Sequence, residues 1–107
     1  MIAKIHQVAG RILARKLKEQ GIDEINPAQG RIMFVLWRED GISINELAKR
    51  TALKKSTLTS MLDRLEASGH VERVPSRSDR RQILIKRTAK DIALEHVYIA
   101  ASQDMTR

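Results

Sequence analysis

Four hydroxyl side chains fall within five consecutive positions of the sequence: Ser56, Thr57, Thr59 and Ser60. Lys54 and Lys55 precede them, Arg64 follows, and further along Arg77, Arg80 and Arg81 crowd into five residues. No base is spaced to activate any of the hydroxyls, and guanidinium groups stay charged, so bond-making chemistry is not what these residues share. What they share is the capacity to donate and accept hydrogen bonds and to neutralise an anion. Short hydroxyl side chains let a helix approach base edges and phosphates closely. Arginines at a loop tip can reach neighbouring phosphates or a narrow minor groove. Taken singly, each group has an ordinary explanation. The first is a solvated helix start with hydroxyl–backbone bonds, and the second a charged turn that keeps a hairpin from pairing edge to edge. Their succession within one stretch favours the binding role.

Other chemistries find little support. The chain has no cysteine, hence no disulfide, thiolate zinc site or nucleophilic thiol. His6, His70 and His96 lie far apart without metal-ligand spacing, and His96 is expected as a hydrogen-bonded interface residue on the inward face of the last helix. No glycine-rich phosphate loop and no nucleophile with its base is present, so no enzyme activity, cofactor or metal is implied. Asp63 and Asp79, acids among the basic residues, are better explained as carboxylates that each hold an arginine in place. Met33 and Trp37 could line a ligand cleft, although a helix so nearly all apolar reads more simply as core.

The elements that must position these groups follow from periodicity. Ile2, Ile5, Val8, Ala9, Ile12, Leu13 and Leu17 form one face of a first helix over 2–20, ended by Gly21. Asn26-Pro27 is an N-cap with proline at the first helical position, opening a second helix over 27–39. Ser43 and Glu46 have the spacing of a capping box for a short helix over 44–52. A very short turn at Leu53 then leads to a helix over 55–68, closed by Gly69. Leu58, Met61, Leu62 and Leu65 set its inward face, so Ser56, Ser60, Asp63 and Ala67 point the other way, flanked by Thr59 and Arg64. The period then changes to two over 71–75 and 82–87, two strands joined by the polar loop 76–81. Thr88 to Asp91 resembles a second capping box, for a helix carrying Ile92, Ala93, His96, Ile99 and Ala100.

Two short helices joined by a tight turn make a helix-turn-helix, and the hairpin directly after makes it winged. The charge is placed accordingly. Of a net charge of +7 in 107 residues, 42% of them apolar and 31% charged, the stretch 43–88 carries eleven basic and five acidic residues. That local surplus is the electrostatic footprint of a polyanion binder. The composition is that of one folded domain, and no apolar run approaches the ~18 residues that span a bilayer, so a cytoplasmic, membrane-free protein is expected.

In these residues the sequence resembles the MarR family of winged-helix transcriptional regulators. The matching stretches are 44–53 (INELAKRTAL), 56–74 (STLTSMLDRLEASGHVERV) and 78–88 (SDRRQILIKRT). The resemblance implies a homodimer on a pseudo-palindromic double-stranded DNA operator, usually a repressor. It also implies release by a small phenolic or anionic effector bound between the DNA-binding and dimerisation regions. By position, Asp63 and Arg81 would form a salt bridge between recognition helix and wing, and Arg80 or Arg77 would be the wing-tip contact. The sequence departs from the family pattern at Arg87, where leucine is usual, and at Lys54, where a capping serine or aspartate is usual.

The expected architecture is therefore mainly α with a small β-wing. Residues 1–22 would be an N-terminal dimerisation helix, 27–88 the winged helix-turn-helix, and 89–107 the start of a C-terminal dimerisation helix, expected to be truncated. The alternative is a winged-helix docking module whose basic face meets an acidic protein partner.

Overall fold

In the computed structural model, residues 2–79 and 81–105 are described, with side chains from Gln7 to Ser102 apart from Arg80. Arg80 therefore lies outside the described residues, as do the side chains of Ile2, Ile5 and His6. Helix α1 (Ile2–Glu19) is followed by α2 (Pro27–Arg38), strand β1 (Ile42–Ser43), α3 (Ile44–Thr51) and α4 (Lys55–Ala67). Strands β2 (Val71–Pro75) and β3 (Ile83–Arg87) and helix α5 (Ala89–Met105) complete the chain. The molecule is mainly helical, with a small antiparallel sheet in the order β1-β3-β2.

Local chemistry sets most boundaries. Asn26 caps α2 in a complete capping box: its Oδ1 accepts from the Gln29 amide at 2.8 Å, and Gln29 Oε1 accepts from the Asn26 amide at 2.8 Å. Ser43 Oγ accepts from the Glu46 amide at 3.1 Å, but the Glu46 carboxylate turns to Arg50, 3.9 Å away. That box is closed from one side. Gly69 ends α4 with φ +84, a conformation suited to glycine.

The core is aliphatic. Leu13 and Leu17 of α1, Ile32 and Leu36 of α2, Leu47 of α3 and Leu58, Leu62 and Leu65 of α4 are sealed against Ile85 of β3. Where α1 crosses α2 the backbones nearly touch: a Cβ built on Gly30 would stand 2.4 Å from the Gly10 carbonyl oxygen. Only glycine permits that approach.

One element is added and one face is reassigned. Strand β1 is an addition, because two residues carry no periodicity and become a strand only by pairing, Ile42 with Ile85 and Ser43 with Leu84. The face of α5 is also different. Asp91 and Leu94 are buried and Tyr98 packs against the core, whereas Ile92, His96 and Ile99 are exposed. The side of α5 richest in isoleucine thus turns away from the chain's own core, and His96 with it.

Candidate nucleic-acid interface

The helix-turn-helix is held by its turn. Thr51 is fully buried, its hydroxyl donating to the Leu47 carbonyl at 2.7 Å, while Arg31 Nη1 reaches from α2 to the Thr51 carbonyl at 2.8 Å. Ala52 then takes the left-handed conformation (φ 56), which swings the chain into α4. Lys54 stands at the N-cap with no side-chain cap bond, which leaves the first amides of α4 without an acceptor from that side chain.

With Leu58, Leu62 and Leu65 buried, Lys54, Lys55, Ser56, Thr59, Ser60 and Arg64 are exposed, and Thr57 is half-buried. Arg77 and Arg81 of the wing are exposed as well, Arg81 at 96%. The two groups share a space. Lys55 and Thr59 of α4, Arg81 and Gln82 of the wing, and Ser43 and Asn45 at the start of α3 line one open hollow of about 320 Å³. The turn that carries the arginines is ordered by Ser76, a buried residue whose hydroxyl accepts from the Ser78 and Asp79 amides at 3.3 Å each.

The salt bridge between recognition helix and wing has a different arginine from the one expected. Asp63 Oδ1 accepts from Arg73 Nη2 at 2.7 Å, and Arg73 Nη1 also reaches Glu66 at 3.2 Å. Arg81 instead stays near Asp79, its amide donating to the carboxylate at 3.0 Å and its Nε 3.8 Å away. The reason is geometric. Strand β2 leaves the turn after α4 and runs back beside it, which sets Arg73 against the end of the helix while Arg81 lies out past the tip. The signal was present: period two places Arg73 on the same face as the buried Val71. The suggestion that each acid steadies an arginine holds for Asp63 and Asp79, with Arg73 as the partner of the first.

A second polar cluster lies at the opposite end of the wing. Arg87 Nε donates to Asp91, and its Nη2 reaches Glu95 at 2.6 Å. Trp37 Nε1 donates to both Asp91 oxygens, at 3.0 and 3.1 Å, so the capping-box acid of α5 is instead a buried acceptor. Burial would lower the Arg87 pKa, but its hydrogen bonds and the charges of Asp91 and Glu95 outweigh that and raise it. Periodicity could not have found this cluster, because Trp37 and Asp91 are brought together only by folding. His70 is buried with Nε2 2.8 Å from Glu24. Among the described residues no group of three histidine, cysteine or acidic side chains could hold a metal ion.

Residues 25–83 match the model of the MarR family. The chain belongs to the MarR family. It is 44% identical over 72 residues to the HTH-type transcriptional regulator TtmR of Methylorubrum extorquens, an alignment covering 67% of this chain and 37% of TtmR. It is 31% identical to the multiple antibiotic resistance protein MarR of Escherichia coli over 106 residues, 98% of this chain and 72% of that protein. A crystal structure of a cysteine-to-serine mutant of E. coli MarR with operator DNA superposes with a TM-score of 0.75 at 31% identity, covering 96% of this chain and 72% of that one. TtmR is named a transcriptional regulator. This MarR-family chain thus spans well under half of one relative and under three quarters of the other.

Proposed function

We propose that this chain is a DNA-binding transcriptional regulator that reads duplex DNA with α4 and grips the flanking backbone with its wing. One observation carries the reading: the basic, hydroxyl-bearing face of α4 and the wing arginine Arg81 open onto the same hollow. Thr59 and Ser60 are short enough to meet base edges, Lys54, Lys55 and Arg64 neutralise phosphates, and Arg77, Arg80 and Arg81 extend the contact sideways. The E. coli relative crystallised with operator DNA supports the same assignment.

Residues 27–88 are the DNA-binding part, and residues 1–22 and 89–107 pair two copies. Support for pairing is the apolar surface that the single chain leaves uncovered, with Val8 45%, Ile92 46% and Ile99 42% exposed on neighbouring helices. A two-fold dimer would read a pseudo-palindrome with half-sites about 10 base pairs apart. Repression in the cytoplasm, relieved by a small phenolic or anionic effector between the two regions, is the mode we assign. No helix among the described residues is long and apolar enough to cross a membrane.

The test is selection from randomised duplexes followed by gel shift at rising salt. A regulator recovers one palindromic sequence and loses affinity steeply with salt. Weak, sequence-blind retention would overturn the reading in favour of a module that docks an acidic protein.

A further inference from the structure

Arg87 ends β3, where the chain leaves the wing for α5. Its side chain is only 13% exposed, and it touches more separate elements than Arg77 or Arg81. The fork holds Asp91 and Glu95 on α5, the guanidinium lies 5.8 Å over the Trp37 ring on α2, and the Arg87 amide donates to Asp40 after α2 at 2.9 Å. Trp37 closes the cluster through its bonds to Asp91 and its ring contact with Tyr98, centroids 5.5 Å apart. A cation so enclosed cannot reach a phosphate, so its contribution to DNA binding must be indirect.

We infer that Arg87 is the positioning residue of the wing, and that its clamp onto Asp91 and Glu95 sets where Arg77 and Arg81 stand relative to the hydroxyl face of α4. The inference rests on the DNA-binding reading above. β3 is the central strand of the sheet and runs straight from the clamp to the tip, so a rotation at Arg87 is carried outward along the strand. The two long strands are each tied by an arginine, β2 to α4 through Arg73 with Asp63 and Glu66, and β3 to α5 through Arg87. A planar fork hydrogen-bonded to two carboxylates fixes direction, whereas an apolar residue in that place would hold the strand by packing that has none. The clamp also joins the wing to a helix assigned to pairing, so the spacing of the two wings in a dimer is set through it.

The test compares the wild-type chain with Arg87→Leu, Arg87→Lys and the double variant Arg87→Leu/Asp91→Leu on the duplex that the wild type selects. Arg87→Leu leaves Asp91 buried beside Trp37 alone and should melt at a lower temperature, and the double variant, freed of that carboxylate but lacking the acceptor of the Trp37 N–H, should recover part of the loss. Both should bind DNA several-fold more weakly, with the slope of log Kd against log salt shallower by about one or more, because a displaced wing loses phosphate contacts. Arg87→Lys, a point charge without the fork, should lie between. The slope does not depend on the folded fraction, and Arg87 meets no phosphate, so a purely structural role leaves it unchanged. A wild-type slope in the double variant overturns the inference while the DNA-binding reading stands. A wild-type chain that selects no duplex overturns both.

Discussion

The guanidinium of Arg73 on β2 lies 2.7 Å from the carboxylate of Asp63 on α4, and the same arginine reaches Glu66 one helical turn further on. Through this pair α4 and the wing are tied together. Arg73 is 28% exposed but Asp63 is 60% exposed, so water screens the pair and its contribution is that of a surface ion pair. Arg73→Ala should cost about 1 kcal/mol of stability and weaken DNA binding, since the wing is released from the helix. Circular dichroism melts and fluorescence anisotropy check the two effects separately. A variant that melts early but binds with unchanged affinity once folded would break the link between this pair and the interface.

Arg81 is nearly fully exposed and bound only loosely to Asp79, so its removal should leave folding untouched. Arg81→Ala should lower affinity for every duplex alike and reduce the salt slope by about one. Thr59→Ala and Ser60→Ala should instead narrow the gap between the selected sequence and random DNA, with the salt slope preserved. Titrations on two duplexes at several salt concentrations distinguish these outcomes.

Gly30 has no room for a methyl group, because the Gly10 carbonyl occupies that space. Gly30→Ala should therefore destabilise the fold by about 3 kcal/mol, at or beyond the upper end of ordinary overpacking, as α1 is pushed off α2. That amounts to a melting temperature lower by more than about 10 °C. Gly21→Ala, where nothing stands near the added atom, is the control for backbone strain alone, since its φ is +83.

Ala52 is the sole non-glycine residue of positive φ among the described residues, and it forms the turn of the helix-turn-helix. Left-handed backbone costs an alanine about 1 kcal/mol or more, and glycine loses part of that gain through the entropy of its unfolded state. Ala52→Gly should thus stabilise the chain by a few tenths of a kcal/mol, read as a rise of a few degrees in the melting temperature. An unchanged or lower value would mean that the turn is held without strain.

Much of the molecule was legible before folding was considered. The helix over 55–68 and its two faces followed from Leu58, Leu62 and Leu65, and Ser56, Thr59 and Ser60 duly emerge into solvent. The hairpin followed from alternation over 71–75 and 82–87. Less was visible where a group's surroundings come from distant segments. Asp91 has the spacing of a cap and became a buried acceptor, since Trp37 arrives from another helix. The apolar residues Ile92 and Ile99 of α5 were legible, but that Leu94 and Tyr98 rather than those isoleucines meet the chain's own core was not, since a single chain does not say which of two apolar sides its own core will take.

Local order was thus decided by the sequence itself: periods, caps and glycine stops act over a few residues, where the covalent chain holds the partners close. Which arginine steadies the recognition helix, which acid sits under Arg87, and that Gly10 and Gly30 must both lack side chains were decided only by the tertiary structure. Those choices depend on distances between elements that covalent connectivity leaves free and close packing alone determines.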